Sequence, residues 1–155
     1  MWLHKAITTV LGLGYAPIAP GTFGAMGGVI LMGLVYHFNL SLPLPFFIAL
    51  IIIITLVGVW STNKVSPIWG DDPSKVVVDE LAGYLITMLF VPLSWTTILI
   101  GFVLFRFFDI LKPLGIRWID ENLKDGWGVM FDDVLAGIYS CLILHLYIYL
   151  SANYF

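Results

Sequence analysis

Apolar residues in this chain come in long runs rather than alternating with polar ones. Five runs, 23–38, 43–60, 76–91, 95–108 and 134–155, are nearly free of charge in their interiors. Crossing the hydrocarbon of a bilayer takes roughly 20 residues, with a range of about 17–25. The second and fifth runs meet that length. The first, third and fourth are shorter; they span by local thinning or by continuing into polar ends, or they sit half-embedded. The pattern predicts an all-α, multi-spanning membrane protein of about five transmembrane or membrane-embedded helices, forming one domain over 1–155. Between the fourth and fifth runs, Ile116, Ile119 and Leu123 recur at helical spacing beside Arg117, Asp120 and Glu121. That spacing predicts a short helix over 114–123 lying on the membrane surface. Residues 1–12 suit a further short interfacial helix, with Trp2 at the interface.

The connections carry their own signals. Residues 13–23 form a Gly/Pro loop in which prolines fix the backbone and glycines free it. Thr22 is the expected N-cap of the first run. Gly24 and Gly28 stand in the spacing that lets helices approach closely. Gly21, Thr22 and the loop amides can also cradle an anion at the helix N-terminus, although no Walker-type Gly-Lys-Ser/Thr accompanies them. The stretch after Lys5 is broken by Gly12, Gly14, Pro17 and Pro20 and does not read as a cleaved signal peptide.

Composition strengthens the membrane reading. The chain is 60% hydrophobic and 11% charged, less than half the usual charged share of about 25%, and its mean hydropathy is +0.98. Seven basic residues and a net charge of −3 argue against a nucleic-acid partner. All the basic residues fall in the N-terminus, in 61–75 or in 106–124, whereas the connections at 39–42 and 92–94 have none. With five spans, the basic regions share one side, which the distribution of positive charge makes cytoplasmic. Both acidic clusters fall on that side too.

Charge is concentrated. Of seventeen charged side chains, ten lie between Phe105 and Gly137, and a second cluster runs from Asp71 to Glu80. Acids beside hydrocarbon are costly and tend to mark functional sites. Asp79, Glu80, Asp132 and Asp133 can be read as helix caps, worth about 0.3–1 kcal/mol each. That reading fails for Asp109, which ends its run, and it explains doubled acids poorly because like charges repel. Hard oxygen ligands gathered from several segments fit Mg²⁺, and a divalent ion would let an acidic pocket accept phosphate. Asp79, Glu80, Asp109 and Asp133 are the leading candidates for metal and catalysis, followed by Asp132, Asp71 and Asp72. Arg106, Lys112 and Lys75, with Thr22 and Gly21, are the candidates for phosphate. His145, His37, His4 and Cys141 read as packing or isolated residues. An ion path needs charges at mid-span, and these acids gather at one face, which weighs against a small cation transporter or channel.

Three motifs resemble the bacterial phosphatidylglycerophosphatase A family. They are Gly-Leu-Gly-Tyr-Ala-Pro-Ile-Ala-Pro-Gly-Thr-Phe-Gly over 12–24, Asp-Asp-Pro-Ser-Lys-Val-Val-Val-Asp-Glu over 71–80 with Gly83, and Phe-Arg-Phe-Phe-Asp-Ile-Leu-Lys-Pro over 105–113. The third continues through Ile116, Asp120 and Gly-Trp-Gly-Val-Met-Phe-Asp-Asp-Val-Leu-Ala-Gly over 126–137. Asp125 stands where the family's glycine run is expected to have glycine. The resemblance implies a helical, Mg²⁺-dependent enzyme of the bacterial inner membrane with its site facing the cytoplasm. Such an enzyme removes the terminal phosphate of phosphatidylglycerophosphate. The Cys-x₅-Arg, Asp-x-Asp, Ser-Gly-His and Asp-Gly-x-x-Ala-Arg signatures of other lipid-phosphate chemistries are absent from the chain. The residues leave open whether water or an aspartate attacks phosphorus.

Overall fold

A computed structural model describes residues 1–70, 73–123 and 125–154; Asp71, Asp72 and Lys124 lie outside the described residues. Those residues form helices α1 (Trp2–Thr8), α2 (Pro20–His37), α3 (Leu44–Trp69), α4 (Val78–Thr87), α5 (Trp95–Leu111), α6 (Ile116–Asn122) and α7 (Gly126–Tyr154), with a 3₁₀ turn at Leu13–Tyr15. No strand occurs among them.

Helix boundaries follow local chemistry. Ser94 and Thr97 close a reciprocal capping box at the start of α5. Gly70, at φ 90°, ends α3, a conformation that glycine adopts without Cβ strain. Pro20 occupies the first position of α2, where its fixed φ suits a helix start. Thr22 is therefore the third helical residue rather than the N-cap, and its N–H already reaches Ala19 O at 2.9 Å. Asp125 Oδ1 accepts the N–H groups of Trp127 and Gly128, both at 3.1 Å, so α7 starts at Gly126. Asp132 and Asp133 consequently lie almost two turns inside α7, with no acid in its first turn. They are not caps.

Helices α3 and α7 are long and apolar enough to cross a membrane. Their outward faces and that of α5 stay apolar, with Ile53, Leu56, Val103, Phe107, Leu142 and Leu146 exposed. The run at 76–91 contains only the ten residues of α4, about 15 Å of helix against about 30 Å of hydrocarbon. This central element is packed against α2, α3, α5 and α7, and Tyr84, Leu85 and Ala82 have no exposure. Tyr84 donates its buried hydroxyl to Ile98 O at 3.1 Å, which removes the cost of burying an unpaired O–H.

Glycines set the distance from α4 to its neighbours. A Cβ on Gly83 would meet Phe105 at 2.5 Å and Asp133 O at 2.6 Å. A Cβ on Gly137 would overlap Gly83 O, and one on Gly28 would overlap the Tyr84 ring. Pairings of Gly83 with Asp133 and Gly137, Thr87 with Gly137, and Leu89 with Cys141 advance together along both helices. α4 and α7 therefore run side by side in the same direction. By the same test α2 runs with α4, because Gly24 meets Val77 and Gly28 meets Tyr84.

Candidate metal and phosphate site

The parallel register of α4 and α7 brings the acids together. Asp79 lies four residues before Gly83, and Asp133 lies four residues before Gly137, so each carboxylate projects one turn ahead of the glycine contact. Ligand oxygens of Asp79, Glu80 and Asp133 lie within 4.8 Å of one another. Asp79 and Asp133 are buried, at 7% and 3% exposure. Three carboxylates at this separation and burial cannot all carry charge without a cation.

α2 and α5 complete a cavity of about 290 Å³. Its lining takes Pro20 and Gly21 from the start of α2, Asp79 and Glu80 from α4, Arg106 and Asp109 from α5, Lys112 just beyond α5, and Asp132 and Asp133 from α7. A Cβ on Gly21 would overlap the Glu80 carboxylate and approach Arg106 Nη1 to 3.3 Å. Glycine is what allows the α2 N-terminus to reach the acids, and that terminus carries partial positive charge. Arg106 pairs with Asp109 one turn along α5. Lys112 Nζ is shared between Asp132 Oδ2 at 2.7 Å and Asp120 Oδ1 at 2.8 Å.

Two kinds of buried atom in this cavity have no hydrogen-bond partner among the described residues. Asp79 Oδ1 and Glu80 Oε2 are acceptors; Arg106 Nε is a donor. Buried polar atoms are nearly always paired, so orphans need an explanation. Asp132 behaves differently: one oxygen takes Lys112, and the other accepts the Asp133 N–H at 2.9 Å.

Burial also controls protonation. It pushes Glu80 up to about 7, with the nearby Asp109 charge adding to the rise and the Asp79 hydrogen bond and Arg106 opposing it. Burial and the Glu80 charge raise Asp79 well above the usual carboxylate range. Burial pulls the Lys112 ammonium down, but its Asp120 and Asp132 partners outweigh that and raise it above its ordinary value.

Most sequence candidates therefore converge: Asp79, Glu80, Asp109, Asp132, Asp133, Arg106, Lys112 and Gly21 all line one cavity. Two do not line it. Thr22 is turned one residue past Gly21, and the Lys75 ammonium lies over the rings of Trp69 and Tyr15, at 5.7 and 6.0 Å from their centroids. One contributor was missed as a site residue, Asp120 on α6. Its signal was its position four residues after Ile116, the buried anchor of that helix, which puts both on one face.

An all-helical fold with a buried three-carboxylate cluster beside an arginine and a lysine defines a class of protein suited to a metal ion and a phosphoryl group. The phosphatidylglycerophosphatase A family model matches residues 6–148. A protein of Bacteroides thetaiotaomicron named putative phosphatidylinositol-3-phosphatase is 44% identical over 147 residues, covering 92% of each chain. Proteins named phosphatidylglycerophosphatase A from Haemophilus influenzae and Escherichia coli are 41% and 33% identical, each over 86% of this chain and over 81% and 77% of their own. No solved structure matches. The chain belongs to the phosphatidylglycerophosphatase A family and is a phosphoric monoester hydrolase of phospholipid metabolism.

Proposed function

We propose that the protein is a Mg²⁺-dependent phosphatidylglycerophosphatase of the bacterial inner membrane, converting phosphatidylglycerophosphate to phosphatidylglycerol and inorganic phosphate. In this reading five helices are embedded in the bilayer. α3 and α7 cross fully, α2 and α5 cross with help from their polar ends, and α4 is a half-length element at the centre. The site faces the cytoplasm.

The observation that carries this reading is the pairing of orphaned acceptors with an orphaned donor in one cavity. Asp79, Glu80 and Asp133 would hold the ion, with Asp109 and Asp132 at its edge; Mg²⁺ bound there would supply Lewis-acid stabilisation of charge on the phosphoryl oxygens. Arg106, kept in place by Asp109, directs its unused Nε–H to a phosphate oxygen. Lys112 offers a second positive charge without leaving Asp132. The N-terminus of α2, admitted by Gly21, adds its partial positive charge to the same space. Burial of the acids under α2 and α4 keeps bulk water from screening these charges. Water attack and attack by an aspartate both fit the residues; ¹⁸O incorporated into phosphate or into the enzyme in a single turnover tells them apart.

The name of the Bacteroides relative supports a second reading, hydrolysis of the 3-phosphate of a phosphoinositide. Phosphate release from both lipids by the purified protein, with and without Mg²⁺, tests both. The expected result is rapid Mg²⁺-dependent release from phosphatidylglycerophosphate. Release from phosphatidylinositol 3-phosphate alone would replace the first reading with the second.

A further inference from the structure

Two lysines at the site end of the molecule take no part in the acid cavity. Trp69, the last residue of α3, has Lys5 Nζ at 5.6 Å and Lys75 Nζ at 5.7 Å from its ring centroid. Lys75 also lies 6.0 Å from the Tyr15 ring, and Tyr15 meets Trp69 edge-on at 6.3 Å. Among the described residues neither lysine has a carboxylate partner, whereas Arg106 and Lys112 are both paired. One indole thus carries two ammonium groups that no described carboxylate neutralises, and an anion beside either would be attracted to it.

A cavity of about 260 Å³ opens beside Lys5, lined also by Trp2, Thr9, Leu11 and Tyr15. Its wall is a built turn. Val10, Leu11 and Gly12 are all left-handed, and the Gly12 N–H donates to Thr9 Oγ1 at 3.0 Å. At its rim Trp2 and Leu11 stand 81% and 91% exposed. Lys5 in the lining, Lys75 across the Tyr15 ring and apolar side chains at the rim match an amphipathic ligand, not a free inorganic ion.

We infer that Lys5, Lys75, Trp69 and Tyr15 form a second lipid site, a receptor for the anionic phosphodiester headgroup of a neighbouring phospholipid, with Trp2 and Leu11 against its acyl chains. This inference rests on the membrane reading above. The site is separate from the acid cavity but tied to it: the Val77 N–H, two residues before Asp79, donates to Thr8 O at 2.8 Å, and the Gly14 backbone packs on Lys75 O so closely that a Cβ would overlap it.

The test uses the full chain in phosphatidylcholine nanodiscs with nitroxide-labelled phosphatidylserine as a minor component. That probe is a phosphodiester and offers no monoester to the acid cavity. Electron paramagnetic resonance reads the immobilised fraction against labelled phosphatidylcholine. The expected result is an anionic preference of at least about fivefold, the order expected where lysines face an anionic headgroup. It is lost in Lys5→Gln/Lys75→Gln and kept in Lys64→Gln, an exposed lysine in the same half of α3 as Trp69. Trp69→Leu, which leaves both charges in place, lowers it as well. An unchanged preference in the double variant, or an equal loss in Lys64→Gln, overturns the inference. Should the double variant fail to fold, an unchanged preference in Trp69→Leu overturns it equally. The lipid readout needs no turnover, so its failure and failure of the phosphatase reading are separate results.

Discussion

Two pairs of adjacent acids, Asp79–Glu80 and Asp132–Asp133, look alike in sequence and are held differently in space. The first pair opens α4, and each of its residues keeps a buried oxygen without a hydrogen-bond partner among the described residues. The second lies deep in the first third of α7 and splits. Asp133 joins Asp79 and Glu80, while Asp132 turns to Lys112. The geometric grouping is three and one, not two and two. A doubled acid therefore does not have to act as a unit: neighbours on a helix point about 100° apart, so the packing partner of each face assigns its role.

Neutral substitutions test this split most sharply. Asp79→Asn or Asp133→Asn should each reduce kcat/KM on the order of 10³-fold, the scale seen when a group stabilising transition-state charge is removed. Circular dichroism should remain that of the parent. Asp132→Asn should cost less, about 10–100-fold, as expected for a group that orients another. The loss should appear mainly in KM, because the Lys112 charge survives and only its placement suffers. Equal losses at 132 and 133, measured by initial rates, would restore the pairs as units.

Protonation gives a test of the three-acid cluster. Glu80 is raised to about 7 from its ordinary 4.5, so the metal-free fold binds a proton that the unfolded chain has released. Stability of the metal-free protein should then fall as pH rises from about 4.5 to 7, and Mg²⁺ should restore it above that window. Mg²⁺ affinity should weaken as pH falls through 7, by about tenfold per unit for each proton displaced. Titration calorimetry at pH 6 and 8 measures the affinity, and thermal melts with and without Mg²⁺ measure the stability.

The smallest expected effect concerns how α7 begins. Asp125→Ala removes the acceptor for two helix N–H groups and should cost about 1 kcal/mol of stability, the usual worth of an N-cap. Activity should change little, because the acids lie almost two turns further on. Asp125→Gly, which supplies the residue expected from the family's glycine run, should cost less than Asp125→Ala, since glycine at an N-cap is nearly as good as the polar caps. Chemical denaturation measures both.

Much of this could be read from the chain. Long charge-free runs announced helices, two of them long and apolar enough to cross a membrane. The short helix at 116–122 followed from spacing. The acids and cations of the site stood out because charge is rare here and collects at one end. Even a cluster of acids able to hold a metal ion was suggested by oxygen donors in excess of what helix caps require.

What the sequence could not determine was depth and partnership. The length of an apolar run bounds a helix from above, and only packing showed that α4 stops after ten residues, enclosed by four neighbours. Lys75, written inside an acidic motif, is carried to Trp69 and Tyr15 and does not line the acid cavity. Asp120, separated from the acids by a loop and a helix turn, reaches Lys112. The acid cluster itself depends on the close approach of α4 and α7 at Gly83 and Gly137. Which side chains meet across that contact is a property of two helices in register, and no single stretch of sequence contains it.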